Sequence, residues 1–156
     1  MTFPMNKNIS ILYRYGQMFM AQRLKPYGIG PGQHGLILSI IREPGISQEQ
    51  LAMNLGMDKG TIARLVQKLE QKGFIRRESL ASDRRVNCLY PMAKALDIEE
   101  IIREKTREWY VVILQDVPPK DQETVFMLLE QMSKNAVGYM KSSLEQKSFV
   151  EKRQRK

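Results

Sequence analysis

Apolar residues recur at three- and four-residue steps along most of this chain, a spacing that predicts helices. Ile9, Leu12, Tyr13, Gly16, Phe19 and Met20 share one face, which predicts a first helix from about Asn8 to Leu24. Pro26 and Gly28 stop it. Gly30-Pro31 is expected to open a second helix, with Pro31 at the first helical position, where its missing N–H costs nothing. Leu36, Ile37, Ile40 and Ile41 give that helix its apolar face, and Pro44-Gly45 closes it. Ser47 and Gln50 have capping-box spacing ahead of Leu51, Ala52 and Leu55, so a third helix starts there. Gly56 suits its left-handed end. Asp58 then caps a fourth helix with the stripe Ile62, Leu65, Val66 and Leu69, ended by Gly73.

Phe74–Ser79 and Val86–Tyr90 read as two strands. After Pro91 the helical period returns through Ile98, Ile101, Ile102, Trp109, Val112 and Ile113. Pro118-Pro119 breaks it, and a last helix carries Val125, Leu128, Leu129, Met132, Ala136 and Tyr139. A core over residues 46–90 buries little more than its own centre, so the terminal helices need another partner. The natural one is a second copy of themselves.

The two short helices meeting at Leu55-Gly56-Met57 form a helix-turn-helix pattern, and the strands after them form a wing. The fold class is therefore mainly α with a small β-wing: a winged helix-turn-helix core flanked by terminal helices. Such a core offers one helix to the DNA major groove and a basic hairpin to the flanking backbone or minor groove. With Ile62, Leu65, Val66 and Leu69 inward, the opposite face centres on Gly60, Arg64, Gln67 and Gln71, flanked by Lys68. Gly60 permits close approach, Arg64 suits a bidentate contact to guanine, and Gln67 suits adenine. Thr61 is placed to bond a phosphate, with Lys59 beside it. The wing carries Arg76, Arg77, Arg84 and Arg85, and arginine gains from the negative potential of a narrow minor groove. Asp83 would be costly near phosphates unless it orients a neighbour, so it reads as a buttress for Arg85. The bland alternative is that both regions are solvated charged surfaces.

The charge of +8 favours a polyanionic partner without choosing one. Its distribution says more. Residues 46–90 carry eight basic and five acidic residues, residues 91–140 carry six and nine, and residues 141–156 carry six and two. The acidic block thus falls outside the proposed DNA-binding unit, and the end of the chain reads as a frayed basic tail. One cysteine, Cys88, rules out a disulfide within one chain, fits a reducing compartment, and reads as a buried thiol in a wing strand. No signal sequence or membrane-length apolar run is evident, so a cytoplasmic location and no membrane partner are expected. His34 is the single histidine, which makes a His/Cys metal site improbable. No nucleophile–base–acid set and no phosphate-binding glycine loop appears, so the chain is not read as an enzyme and no cofactor is implied.

The span Leu55-Gly-Met-Asp-Lys-Gly-Thr-Ile-Ala-Arg-Leu-Val-Gln-Lys-Leu-Glu-Gln-Lys-Gly-Phe-Ile-Arg-Arg77 resembles the recognition helix and following strand of the MarR (multiple antibiotic resistance) family of regulators. Ser82-Asp83-Arg84-Arg85 resembles its D-x-R wing motif, and the likeness extends from about Asn8 to Tyr139. One departure is Pro91-Met92-Ala93-Lys94-Ala95, where the family often has Leu-Thr and then Gly. The helix there is expected to begin without a Thr cap, with Pro91 near its first turn. The resemblance implies one domain over 1–156. Within it, 30–91 would be a DNA-binding lobe, 8–25 and 92–141 dimerisation helices, and 142–156 a basic tail. It further implies an intertwined symmetric homodimer on double-stranded DNA with an inverted-repeat operator. A small aromatic or acidic effector would sit between the dimerisation helices and the lobe, near Tyr13, Met20, His34 and Trp109. The resulting reading is a sequence-specific transcription regulator, a repressor modulated by a small, partly apolar ligand. A winged-helix module for protein contacts, or non-specific nucleic-acid binding without effector response, is the alternative. The polar Arg64, Gln67 and Lys68 speak against the former.

Overall fold

The computed structural model describes residues 4–80, 82 and 86–154, with side-chain surroundings through residue 144. Helix α1 spans Met5–Leu24 and runs into a 3-10 turn, Lys25–Tyr27. Then follow α2 (Gln33–Arg42), β1 (Ile46–Ser47), α3 (Gln48–Asn54), α4 (Lys59–Gln71), β2 (Ile75–Ser79), β3 (Asn87–Pro91), α5 (Ala93–Ile113) and α6 (Pro119–Gln154). The fold is mainly helical with one small antiparallel sheet, as the periodicity predicts.

The sheet has a third strand that the sequence did not signal. Its order is β1-β3-β2, with Ile46 opposite Leu89, and Arg77 opposite Leu89 from the other side. A two-residue strand is too short to show a period. Gly45 makes it possible: its φ is +89°, and a Cβ there would lie 3.2 Å from the Tyr90 hydroxyl. Its N–H donates to the Leu89 carbonyl at 2.8 Å, extending the pairing.

Two helix starts differ from expectation. α2 begins at Gln33, and Pro31 lies in the turn before it, because Gly32 takes the N-cap place at φ +75°. Gln33 is the reason the turn closes this way. Its side chain is buried, and its Oε1 accepts the Gly30 N–H at 2.7 Å. α5 begins at Ala93, and Pro91 ends β3 opposite Ile75 instead of entering the helix. The absent Thr cap is as anticipated, since no side chain caps Met92. The last helix also continues into the expected frayed tail, to Gln154.

The core lies under the helix-turn-helix. Leu36, Ile37 and Ile40 of α2, Leu51 of α3, and Ile62, Val66 and Leu69 of α4 are essentially inaccessible. They pack with Phe74, Ile75, Leu89 and the α5 residues Ile98 and Ile102. Truncating one such side chain to Ala typically costs about 2–5 kcal/mol, a large part of a domain's stability. From α1, Met20 and Leu24 are buried in this core and Phe19 packs against it. Higher up, α1 meets α5 where Gly16 faces Trp109: a Cβ on Gly16 would lie 3.1 Å from the indole nitrogen. Phe19 packs beside the same indole at 5.3 Å between ring centroids.

The remaining apolar residues of the long helices face outward. Met18 is 64% exposed, Val111 75%, Met127 64% and Leu128 57%. Between α5 and α6 the chain turns at Asp116, which takes φ +63°, and Gln122 Nε2 donates to the Val117 carbonyl at 2.7 Å.

The wing is braced against α4 by a single clamp. Arg77 donates from Nε to Glu70 Oε2 at 2.9 Å and from its backbone N–H to Glu70 Oε1 at 3.3 Å. Those hydrogen bonds from the Arg77 side chain hold the Glu70 carboxyl below the usual glutamate range. Because the folded-state pKa is depressed, the clamp's stabilisation is present above the ordinary glutamate pKa and is lost as pH falls through the folded one. Glu70→Gln is expected to lower stability at pH 7 by about 1 kcal/mol, the pair being about one-third exposed and screened by solvent. Urea unfolding of both proteins between pH 7 and pH 3 checks this, and the gap should narrow toward the acid end.

Candidate nucleic-acid interface

The turn between α3 and α4 is built from caps at both of its ends. Ser47 Oγ accepts the Gln50 N–H at 3.1 Å, which starts α3. Gly56, at φ +61°, ends it, and the Met57 N–H returns to the Ala52 carbonyl at 2.9 Å. Asp58 Oδ1 then accepts the Thr61 N–H at 2.8 Å and starts α4. Hydrogen bonding to Thr61, side chain first and backbone second, keeps the Asp58 carboxyl below its usual range, so the cap is charged at neutral pH. A carboxylate also suits the positive end of a helix.

Burial divides α4 cleanly. Ile62, Val66 and Leu69 are inaccessible, while Gly60, Arg64, Gln67, Lys68 and Gln71 are exposed together on the other side. Leu65 lies between these faces and packs against the core. At the start of the exposed face, Arg64 Nη2 donates to Thr61 Oγ1 at 3.2 Å. The Thr61 hydroxyl thus accepts from Arg64, while its own proton is directed to the Asp58 carboxylate. Gly60 sits against the cap: a Cβ there would be 3.3 Å from Asp58 Oδ1. Lys59 forms an exposed ion pair with Glu49 of α3. That partner, ten residues away across the turn, gave no signal in the sequence.

The wing arginines divide differently from the sequence reading. Arg77 is held by Glu70, and Arg76 pairs with Glu78 and lies over the Tyr90 ring at 4.7 Å. Both therefore have partners within the protein. Arg84, Arg85 and Asp83 lie outside the described residues. Cys88 is buried in β3, across from Ser47 on one side and Glu78 on the other.

The four candidate effector residues are scattered in environment. Tyr13 is 59% exposed on α1, whereas Met20 is a core residue at 4%. His34 is half-buried on α2, and that burial pushes its imidazole pKa down, which keeps it neutral at physiological pH. Trp109 is half-buried against Gly16 and Phe19. Arg23, on the same side of α1, lies over Phe19 and is 3.8 Å from Glu108. A shallow cleft lies elsewhere, at the junction of α3, α4 and β3, bordered by Ser47, Gln48, Glu49, Lys59, Val86 and Asn87. None of the four borders it. Among the described residues no group of three or more His, Cys, Asp or Glu could hold a metal ion, and no helix is long and apolar enough to cross a membrane.

Comparison with known proteins places this arrangement. The model of the MarR family matches residues 30–86, from the turn before α2 to the start of β3. The uncharacterized HTH-type transcriptional regulator YybA of Bacillus subtilis (strain 168) is 31% identical over 104 residues, covering 67% of this chain and 69% of that protein. A MarR transcriptional regulator from Methanosarcina mazei Go1 superposes with a TM-score of 0.80 at 34% identity, over 86% of this chain and 96% of that one. A MarR-family regulator from Listeria monocytogenes, solved in complex with 26mer DNA, matches at a TM-score of 0.80 over 88% of this chain and 91% of its own. At 20% identity that last likeness speaks to the fold alone. Its relatives are transcriptional regulators, not enzymes, and the chain belongs to the MarR family of winged-helix, DNA-binding transcription regulators.

Proposed function

We propose that the protein is a homodimeric, sequence-specific repressor that binds an inverted-repeat operator in the cytoplasm and is released by a small, partly apolar ligand. One observation carries the DNA-reading part: α4 buries one face completely and exposes Arg64, Gln67 and Lys68 together on the other. In a winged helix that is the face offered to the major groove. The Listeria relative solved with DNA has the same fold. Lys59 and Thr61 are assigned to the phosphates, Gly60 to close approach, and Arg84 and Arg85 to the backbone or minor groove, with Asp83 as a buttress for Arg85.

Arg64→Ala is expected to cost about 1–3 kcal/mol of operator affinity and to relax preference at one base position. Arg85→Ala is expected to weaken all duplexes more evenly and to reduce the salt slope. Fluorescence anisotropy with operator and base-substituted duplexes reads both. Unchanged affinity and preference in Arg64→Ala would mean that another face of α4 meets DNA.

The dimer reading rests on the outward apolar residues of α1, α5 and α6. Large apolar side chains exposed in number on long helices mark interaction sites. A second copy can bring the same helices to meet them, as closed two-fold interfaces require. Sedimentation at micromolar concentration should give twice the 18.1 kDa chain mass. A well-folded monomer of that mass contradicts the proposal.

The effector site is proposed between α1, α2 and α5. Tyr13, His34 and Trp109 supply aromatic surface there, and Met20 serves as its packed floor, not as a direct contact. A ligand that prefers a lobe spacing other than the one DNA requires must lower DNA affinity, and DNA must lower ligand affinity equally. A tenfold effect needs only about 1.4 kcal/mol of differential binding. Trp109 is the chain's one tryptophan, so its emission reports binding directly. Benzoate-type aromatic acids titrated with and without operator DNA should show reciprocal weakening. Binding without any change in operator affinity would separate this site from regulation.

A further inference from the structure

The C-terminal end of α4 is tied to the connection between α1 and α2 and to α5. Lys72, the residue that caps α4, donates from Nζ to the Gly28 carbonyl at 2.7 Å and to Gln33 Oε1 at 3.3 Å. Gly28 closes the 3-10 turn in which α1 ends, and Gln33 is the buried first residue of α2. The carbonyl of the same Lys72 accepts from Lys94 Nζ of α5 at 2.9 Å, and that ammonium also lies 4.4 Å from the centre of the Phe74 ring. One residue therefore joins α4, through its side chain, to the turn that follows α1 and to the start of α2, and, through its backbone, to α5. α1 and α5 are themselves locked together where Gly16 meets Trp109.

We propose that Lys72 and Lys94 are positioning residues that fix the angle of α4 to the dimerisation helices and so set which half-site spacing the protein accepts. The proposal rests on the dimeric operator reading above. The lever arm makes the effect measurable. α4 has 13 residues, so its start lies about 20 Å from Lys72 at 1.5 Å per residue. A rotation of about 10° at Lys72 moves that start by about 3 Å, close to the rise of one base pair. Two loosened lobes would then tolerate a spacer one base pair too long or too short. The bonds to the Gly28 carbonyl and from Lys94 are exposed and the one to Gln33 is part-buried, so losing them should cost the fold little stability.

The test measures binding of wild type, Lys72→Met, Lys94→Met, the double variant and Lys72→Arg to four duplexes. These carry the preferred spacer, a spacer one base pair shorter, one a base pair longer, or a single half-site. Wild type is expected to discriminate about tenfold against the altered spacers, and the double variant no more than about threefold. Half-site affinity should stay within about twofold in every variant, and Lys72→Arg, which keeps a charged donor, should retain most of the discrimination. Thermal unfolding and sedimentation confirm that each variant is folded and dimeric, and Lys94→Met alone carries the test if the double variant is not. A wild-type spacing profile in folded variants overturns the proposal and leaves the dimeric reading standing. Equal losses on all four duplexes, the half-site included, overturn it too, because the lysines would then act on DNA contact or on the lobe itself. A wild type indifferent to spacing overturns the dimeric reading and the proposal with it.

Discussion

Everything in this structure depends on burying one stripe of α4. Ile62, Val66 and Leu69 cannot turn toward solvent without exposing the centre of the core, because Leu36, Ile40, Leu51, Phe74 and Leu89 close around them. Each large side chain returned to water costs about 1.5–3 kcal/mol, so the rotation of α4 about its own axis is fixed by hydrophobic burial. Arg64, Gln67 and Lys68 then have no choice of direction. The face proposed to read DNA is a consequence of packing, and its side chains need no interactions of their own to be presented together.

The two ends of α4 complete this arrangement in different ways. At its start, the charged Asp58 cap and the Arg64–Thr61 bond hold the first turn where a phosphate and a base edge would lie. At its end, Glu70 clamps the wing strand through Arg77, and Lys72 and Lys94 tie the helix to the turn after α1, to the start of α2 and to α5. α4 is thus fastened to the wing strand, to the turn before it and to the elements that lead to the long helices. The outward apolar residues of α1, α5 and α6 are the complement to this. They do little for one chain, and they are where two lobes would be joined at a fixed separation.

Much of this was legible because it follows from periodicity and capping chemistry. Ser47 with Gln50, Asp58 before Thr61, and Gly56 and Gly73 at positive φ mark local structure that local sequence determines. The alternation of buried and exposed positions on α4 likewise needs only a helical wheel. What was not legible depends on contacts between distant segments. β1 exists because Ile46 and Ser47 find β3 forty residues later, and two residues show no pattern of their own. Pro31 looked like a helix start because proline favours that place, but the buried Gln33 amide closes the turn and moves the start to itself. A run of charges does not reveal its partners, and Glu70, Glu78 and Tyr90 take Arg76 and Arg77. Met20 looked like one of several residues on a helix face, yet α1 turns only its last part, Met20 and Leu24, into the core. The clearest loss was Lys72: nothing in its neighbourhood of the sequence shows that Gly28 lies within reach of its amine.

The central claim is that two copies of the α4 face read DNA at a fixed separation. Selection of bound duplexes from a random pool, using the full chain at physiological salt, tests it most directly. The account predicts enrichment of an inverted repeat whose half-sites are centred about one helical turn apart, roughly 34–36 Å along the duplex. Enrichment of a single unrepeated site, or no enrichment above a non-specific background, would contradict it.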